Sequence, residues 1–304
     1  MDQHNCAVTR TNIDGTSKNL FTCFSYTSLI SLAKDLNTHR KKKIINTTDY
    51  PYNKKKILYQ RIAKEMAQYC DDTEVCWASQ PFVTDKYTKE MTYRPIIPNQ
   101  PRGWLSSLDL LAIGKQHEQR SFQEYSNPNN NLKMFHFLGV FPIDFESIND
   151  EMMNLSVRKL HKHGYEHIGM ILNLDKHNQP GSHWVAYFLD LSQPTKQQYY
   201  YDSVANKPPM EVYRFANRIQ KKLKKLNMSI NESESLIFNR VRSQYKNSEC
   251  GVYSWMFIQR LLEGKSFNEV TSQVIYDDQM HINRLSMFRK PDGYNPSEFH
   301  YVIS

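Results

Sequence analysis

The sequence has little of what marks fibrous, low-complexity or disordered chains. Its 304 residues include only 10 glycines and 13 prolines, and no internal repeat or tract of one residue type is visible. Disordered chains are also poor in apolar residues, whereas this chain is 39% hydrophobic and 12% aromatic. The composition therefore predicts a globular protein, long enough to bury a sizeable core in one large domain or two modest ones.

Long hydrophobic runs are missing as well. The longest apolar stretch near the start, residues 20–33, is broken by Thr, Ser and Cys and is too short to cross a bilayer. No basic start is followed by the hydrophobic core of a signal peptide. We therefore expect no membrane insertion and a reducing interior, in which the cysteines stay as thiols and disulfides do not form. The five cysteines are Cys6, Cys23, Cys70, Cys76 and Cys250.

Positive charge exceeds negative charge. The chain has 39 Lys and Arg against 31 Asp and Glu, a formal net charge of +8 and a sequence pI near 9.0. Basic runs lie at residues 40–43, 54–56 and 221–225. Such patches favour contact with nucleic acid or acidic protein surfaces, although basic runs are more often simply solvated faces.

A proline-rich segment divides the chain. Residues 94–101 contain three prolines, which remove backbone donors and push the preceding residues out of the helical region. We predict a junction there, with a mostly helical accessory region at 1–98 and a second domain at 99–304. Within the first region, apolar residues recur at helical spacing from Lys56 to Tyr69.

The second region has an α+β pattern. After a predicted helix at residues 104–115 and a polar loop at 126–131, three apolar runs of strand length follow. Continuous apolarity indicates central strands covered on both faces. The strands are predicted at 168–174, 183–191, 198–202 and 236–241, and the flanking helices at 210–226 and from Cys250 onward. The sum is a central mixed sheet packed between helices.

Cys250 is the candidate nucleophile. A thiol attacks an acyl carbon as its thiolate, which a neighbouring imidazole or a helix N-terminus stabilises. Cys250 directly precedes a helical apolar pattern, so its sulfur is expected at the positive end of a helix. Gly251 leaves room for substrate backbone beside that sulfur. Taken alone, Cys250 would more often be a buried core thiol.

Three further residues complete the chemistry. His183 begins one predicted strand and Asp202 ends the next, so the two side chains can meet if the strands are antiparallel neighbours. The carboxylate of Asp202 would then orient His183 as a general base. Gln244, in a polar loop before Cys250, could donate to a developing oxyanion. Each residue alone is more often an ordinary polar side chain, and the combination is what indicates catalysis.

The order His-Trp, Asp, then Gln-x5-Cys-Gly resembles the SUMO-protease and adenain-like clan of cysteine proteases, in which the triad runs His, Asp or Asn, Cys. The similarity is strongest to the polyprotein-processing protease of asfarviruses and related large DNA viruses. It is carried by residues 182–186, 202–206 and 242–251. The resemblance implies a papain-like, SUMO-protease-like catalytic core.

The resemblance also implies roles. His183 is the base, Asp202 its orienter, Gln244 the oxyanion donor and Cys250 the nucleophile, with no metal or organic cofactor. Trp104 resembles the indole that covers a narrow channel admitting only a Gly-Gly backbone, with Trp184 as the other wall. For Trp104, simple core packing is an equally good interpretation.

Three functions remain open. The favoured one is a cysteine endopeptidase that cleaves after Gly in Gly-Gly-X sites of viral capsid or core precursors, in the host cytoplasm and the virion. The second is a protease that removes ubiquitin-like modifiers. The third is an inactive, nucleic-acid-binding virion protein, and DNA association through the basic patches could also assist the enzyme. A zinc site is disfavoured because neither the Cys70–Cys76 nor the His161–His163 spacing matches a zinc motif.

Overall fold

The computed structural model describes residues 22–70, 74–85, 88, 95, 103–125, 133–231 and 233–288. Backbone contacts divide the chain into two compact units, Met1–Ile97 with Leu285–Asn295 and Pro98–Arg284 with Pro296–Ser304. The predicted proline-rich junction and the polar loop at 126–131 lie outside the described residues, apart from residue 95. The domain limits at residues 98 and 99 stay a prediction.

The described residues of the first unit form helices that pack together. They are α1 (Tyr26–His39), α2 (Lys55–Met66) and α3 (Glu74–Ser79), with single 3-10 turns at Thr47–Asp49 and Tyr52–Lys54. Ser25 caps α1 by accepting a hydrogen bond from the backbone N–H of Ser28. The apolar face of α1 packs with α2 and α3 in one buried cluster. The predicted helix at 56–69 corresponds to α2, which ends three residues earlier.

One prediction for this unit is wrong. Cys70 and Cys76 form a disulfide, with their Cα atoms 5.8 Å apart, and Cys23 is disulfide-bonded as well. The expectation of free thiols used only the inferred compartment. It took no account of local geometry, which brings Cys70 and α3 to a separation at which a disulfide closes. Among the described residues, Cys250 is the free cysteine.

The second unit is built on a five-stranded mixed sheet in the order β1-β2-β3-β4-β5. β2 is antiparallel to β3, β3 is antiparallel to β4, and the outer pairs β1–β2 and β4–β5 are parallel. The strands are β1 (Met134–Pro142), β2 (Tyr165–Asn173), β3 (Trp184–Asp190), β4 (Gln197–Tyr201) and β5 (Ile237–Phe238). The central strand β3 is buried along nearly its whole length, as its continuous apolar sequence predicts.

Helices cover both faces of this sheet. The helices described after residue 103 are α4 (Ser107–Tyr125), α5 (Phe145–Ile148), α6 (Asp150–Met153), α7 (Val157–Lys162), α8 (Met210–Lys225), α9 (Cys250–Leu262), α10 (Phe267–Thr271) and α11 (Asp277–Met287). On one face, Phe215 and Ile219 of α8 pack with alternate residues of β2 and β3. On the other face, Ile258 of α9 lies against Gly169 of β2. The predicted α+β class, with a mixed sheet between helices, is confirmed.

Helix α4 packs tightly against β1 at Gly114. A Cβ added at Gly114 would lie 2.1 Å from ring atoms of Phe137, whose side chain is fully buried. We expect Gly114→Ala to lower the free energy of unfolding by at least about 1–3 kcal/mol, because the ring must shift within a packed core. Denaturant unfolding measures the change. Leu108→Ala, at an exposed position of the same helix, is the control and should have little effect.

No helix among the described residues is long and apolar enough to cross a membrane.

Candidate active site

The fold brings three of the predicted residues together at one end of the sheet. His183 directly precedes β3, Asp202 directly follows β4, and Cys250 is the first residue of α9. Because β3 and β4 are antiparallel, with Ala186 opposite Tyr201, the start of one strand lies beside the end of the other.

His183 and Asp202 form a direct hydrogen bond. The distance from His183 Nε2 to Asp202 Oδ1 is 2.7 Å, and the Asp202 side chain is completely buried while that of His183 is 16% exposed. The same carboxylate oxygen accepts the backbone N–H of Val204 at 2.9 Å. Asp202 therefore fixes both the ring orientation and the tautomer of His183, leaving Nδ1 for another partner.

That other partner is Cys250. Burial by itself lowers the pKa of His183, but hydrogen bonds to Asp202 and to Cys250, together with their negative charges, outweigh it and raise the pKa to about 9. At neutral pH the imidazole is therefore protonated. A protonated imidazole beside the thiol favours an imidazolium–thiolate pair, which is the reactive form of a cysteine nucleophile.

The helix that begins at Cys250 adds a second stabilising effect. The side chains from Cys250 to Leu261 are all buried, so α9 runs through the interior of the unit. Cys250 itself is almost fully buried at the N-terminus of this helix. The positive end of the helix dipole favours an anion there, and the low-dielectric surroundings increase that effect.

Asn239, which was not predicted as a site residue, supports Asp202. The buried side chain of Asn239 accepts the backbone N–H of Asp202 at 2.9 Å and donates to the backbone carbonyl of Asp202 at 2.7 Å. Asn239 directly follows β5, within the predicted strand at 236–241. Its side chain thus replaces ladder hydrogen bonds at this point and locks the backbone that carries the carboxylate.

Gln244 lies in the loop before α9 and is buried. Its Oε1 accepts a hydrogen bond from Ser203 Oγ at 2.5 Å, and its Nε2 donates to the carbonyl of Lys246 at 2.7 Å. Asp277 supports the same loop, since its Oδ2 accepts the backbone N–H groups of Tyr245 and Lys246. The structure thus links Gln244 to the residue that follows Asp202, and its role as oxyanion donor stays a prediction.

The predicted channel residues differ in their surroundings. The Trp104 side chain is 47% exposed, so it is not a core residue, whereas Trp184 is 7% exposed. Trp184 Nε1 donates to the carbonyl of Leu105 at 2.9 Å. A Cβ added at Gly251 would lie 3.3 Å from both Leu105 Cβ and Trp184 Cδ1. Gly251 is therefore closely packed between these two side chains, directly beside the nucleophile.

A buried arginine holds the loop before Cys250. Arg284 donates from Nε to Glu249 Oε2 at 2.9 Å, and from Nη2 to the carbonyls of Gly103 at 2.6 Å and Ser248 at 3.2 Å. Its side chain has no exposed area. His281 lies on the other oxygen of Glu249 at 3.2 Å. Arg284 therefore ties the backbone next to Trp104 to the two residues before the nucleophile.

We expect Arg284→Met to lower the free energy of unfolding by about 3–5 kcal/mol, because it removes the main charge partner of the buried carboxylate of Glu249. Denaturant unfolding followed by circular dichroism measures the change. The control is Lys246→Met, which breaks the ion pair between Lys246 and Asp278. The Lys246 side chain is 50% exposed and that of Asp278 is 69% exposed. Such exposed pairs contribute less than about 1 kcal/mol. Equal effects of the two variants would contradict the role of Arg284.

No group of three His, Cys, Asp or Glu side chains in the described part of the chain could hold a metal ion. His161 and His163 are exposed on and just after α7, and Cys70 and Cys76 are joined to each other. The arrangement of His183, Asp202 and Cys250 can instead perform nucleophilic acyl transfer with organic side chains alone.

Comparison with known proteins gives a consistent result. Residues 147–291 match the family model described as the Ulp1 protease family, C-terminal catalytic domain. The chain is 28% identical over 294 residues to a candidate thiol protease of Acanthamoeba polyphaga mimivirus, covering 90% of this chain and 92% of the relative. It is 32% identical over 121 residues to a protein of African swine fever virus named SUMO-1 cysteine protease, covering 40% of this chain and 43% of that relative.

The fold agrees with a solved structure. The crystal structure of a protease of African swine fever virus aligns with a TM-score of 0.60 at 21% identity, covering 94% of this chain and 96% of that one. The matched family segment includes His183, Asp202, Gln244 and Cys250. Residues 147–291 are therefore similar to the catalytic domain of the Ulp1 protease family, and the protein is a cysteine peptidase.

Proposed function

We propose that this cysteine peptidase is an endopeptidase that cleaves after Gly in Gly-Gly-X sites of viral polyproteins. The observation that carries the catalytic part is the position of His183, which is hydrogen-bonded to the buried Asp202 and also to Cys250. An imidazole between a carboxylate and a thiol at a helix N-terminus has the geometry of a cysteine nucleophile with its base.

The proposed reaction is acyl transfer. The thiolate of Cys250 attacks the carbonyl carbon of the scissile bond, and the oxyanion is held by the Gln244 side chain and the backbone N–H of Cys250. The protonated His183 then gives its proton to the leaving amine, so the peptide C–N bond breaks and a thioester remains. Water, deprotonated by His183, hydrolyses the thioester and restores the thiol. Asp202 keeps the imidazole oriented throughout.

The surroundings of Gly251, next to the nucleophile, bear on the proposed preference for Gly in the substrate. Gly251 has no space for a Cβ that would not press against Leu105 and Trp184, and Trp184 is held in place by its hydrogen bond to Leu105. The exposed Trp104 directly precedes Leu105 in sequence. Leu105 and Trp184 thus lie beside the nucleophile, and the resemblance of Trp104 and Trp184 to the walls of a Gly-Gly channel is the basis on which we expect Gly at the cleaved position.

Substrates and location follow from the relatives and are part of the proposal. The relatives come from large DNA viruses, and one of them matches most of the chain. We therefore propose capsid or core precursors as substrates, cleaved during virion maturation in the host cytoplasm and the virion. The alternative is removal of a ubiquitin-like modifier, which the name of the SUMO-1 cysteine protease favours for that relative.

A cleavage experiment distinguishes the polyprotein protease from the protease that removes a ubiquitin-like modifier. Purified protein is incubated with peptides of the form Gly-Gly-X, with matched Ala-Ala-X peptides, and with fusions in which SUMO or ubiquitin precedes a reporter. Cleavage of Gly-Gly-X but not Ala-Ala-X peptides, without preference for the fusions, supports the polyprotein protease. Cleavage of fusions alone supports the deconjugase, because a folded modifier must then supply most of the binding energy. Efficient cleavage of the Ala-Ala-X peptides would contradict the Gly specificity.

DNA association is a separate proposal about partners. The side chains of Lys41, Lys42, Lys43, Lys54 and Lys56 are exposed on the first unit. These positions could contact phosphates, and the peptidase would then use DNA as an accessory rather than act as an inactive DNA-binding protein. Binding to a fluorescent duplex at several salt concentrations tests this, because phosphate contacts must weaken as salt rises. Salt-independent binding, or none at low salt, would exclude it.

A further inference from the structure

We infer that Ser203 is a positioning residue that orients the carboxamide of Gln244, so that one N–H of this amide is available to the oxyanion. The inference rests on the proposed function, in which Gln244 is the oxyanion donor. It assigns a task to Ser203, a residue for which the resemblance implied no role. Ser203 contributes through Gln244 and does not itself touch the substrate.

Ser203 and Gln244 contact each other through both side chain and backbone. The Ser203 hydroxyl donates to Gln244 Oε1 at 2.5 Å. The backbone carbonyl of Ser203 accepts the N–H groups of Ser243 and Gln244, each at 2.9 Å. Ser203 is 0% exposed and Gln244 2%. The pair is therefore enclosed, and water does not compete for these hydrogen bonds.

The polarity of the partners determines which way the amide faces. Gln244 Nε2 donates to the backbone carbonyl of Lys246 at 2.7 Å, and a carbonyl can only accept. The nitrogen must therefore lie on the Lys246 side, which places Oε1 against the Ser203 hydroxyl. A flipped amide would set Oε1 against the Lys246 carbonyl, two acceptors facing each other in a buried loop.

With respect to the residues that the structure describes, this orientation leaves one N–H donor of the Gln244 amide unused. The amide nitrogen carries two N–H groups, and the Lys246 carbonyl takes one of them. The second is the group that an oxyanion could receive. Without the Ser203 hydroxyl, the buried Oε1 loses its donor, and the amide loses a restraint on its rotation.

The position of Ser203 in the chain relates its contact with Gln244 to the catalytic acid. Ser203 directly follows Asp202, whose backbone groups are both held by Asn239. One rigid segment therefore carries the carboxylate that orients His183 and the hydroxyl that orients Gln244. The base and the oxyanion donor are therefore both positioned by two adjacent residues, Asp202 and Ser203.

Kinetics of cleavage separate this role from simple packing. We expect Ser203→Ala to lower kcat by about tenfold with little change in KM, because the donor acts in the transition state. Gln244→Ala should lower kcat by about 10²- to 10³-fold. In the Gln244→Ala background, Ser203→Ala should cause no further loss. Equal losses in the two backgrounds would overturn the inference, since Ser203 would then act independently of Gln244.

Alkylation of Cys250 by iodoacetamide supplies a readout that needs no oxyanion donor. We expect Ser203→Ala to leave the alkylation rate unchanged. A slower rate would overturn the inference, because the substitution would then act on Cys250 and not through Gln244. Slow alkylation of the wild type would contradict the proposed function itself. The control is Ser192→Ala, which removes a hydroxyl that donates to Asp190 at the other end of β3 and should not alter kcat.

A pair of isosteric variants covers the case in which Ser203→Ala does not fold. Ser203→Thr keeps the hydroxyl, whereas Ser203→Val has the same shape without it. A kcat for the threonine variant that exceeds that of the valine variant by about tenfold supports the inference. Equal kcat values would overturn it.

Discussion

Replacement of Cys250 by alanine is expected to lower kcat/KM for peptide cleavage by about 10⁴-fold or more. The sulfur is the only group at the N-terminus of α9 that can form the thioester, and the hydrogen bond between His183 and Cys250 that raises the pKa of the imidazole also disappears. Initial rates with the best Gly-Gly-X peptide measure the loss. The fold should remain intact, because alanine fits the space of the buried thiol.

Two further variants serve as comparisons for Cys250→Ala. Cys250→Ser keeps a nucleophilic atom of similar size, but an alcohol is far harder to ionise than a thiol, so we expect a loss almost as large. Ser248→Ala, two positions earlier in the same loop, removes a hydroxyl that makes only a 3.4 Å contact with Glu249 and should cleave at nearly the wild-type rate. Cleavage by Cys250→Ala at a rate close to that of the wild type would exclude Cys250 as the nucleophile.

Replacement of Asp202 by asparagine is expected to lower the pKa of His183 from about 9 towards the ordinary value of 6.5. The amide can still accept a hydrogen bond, but it carries no charge to stabilise the imidazolium. The alkaline limb of kcat/KM, which in the wild type should fall as the pH rises through about 9, should move to lower pH. Asp202→Ala also removes the hydrogen bond, and we expect it to lower kcat by about 10²- to 10⁴-fold.

A second His–Asp pair, which lies across β2 and β3, provides a matched control. His167 Nε2 lies 3.5 Å from Asp190 Oδ1 at the opposite end of β3, and both side chains are largely buried. Asp190→Asn should therefore leave the pH profile of kcat/KM unchanged. If the two asparagine variants shift the alkaline limb equally, the shift does not arise from the catalytic imidazole.

The same pKa makes a prediction about stability. The folded-state pKa of His183 lies above its ordinary value of 6.5, so the folded protein binds this proton more tightly than the unfolded chain. The resulting stabilisation is fully present below about pH 6.5 and is lost as the pH rises through about 9. Unfolding by urea at pH 6 and at pH 9.5 measures it. The decline with pH should be smaller in Asp202→Asn.

Much of the fold was readable from local pattern. The apolar run that begins at His183 predicts the central strand β3, and the patterns at 210–226 and from Cys250 predict α8 and α9 within a residue or two. β1 was not anticipated, because His136 and Gly139 interrupt its apolar run. The strand predicted at 236–241 is only Ile237–Phe238, since Asn239 uses its side chain to bind the backbone of Asp202 instead of extending the ladder.

For His183 and Asp202, the sequence pattern is sufficient to predict that the two side chains meet. His183 and Asp202 lie at the start and the end of two consecutive strands, and the antiparallel arrangement of neighbouring strands is enough to bring such positions together. The prediction needed only the assumption that these two strands are antiparallel neighbours. For Cys250, the helical apolar pattern after it located the helix N-terminus directly.

The sequence by itself determined the residue types, their order, and the local elements that carry His183, Asp202 and Cys250, because these depend on side-chain chemistry and on spacing along the chain. The tertiary structure alone decided that Arg284 holds the loop before the nucleophile, that Asn239 supports Asp202, and that Ser203 contacts Gln244. All three are contacts between residues more than 30 positions apart in the chain. Such contacts depend on how elements pack in three dimensions, which the spacing of residues does not specify.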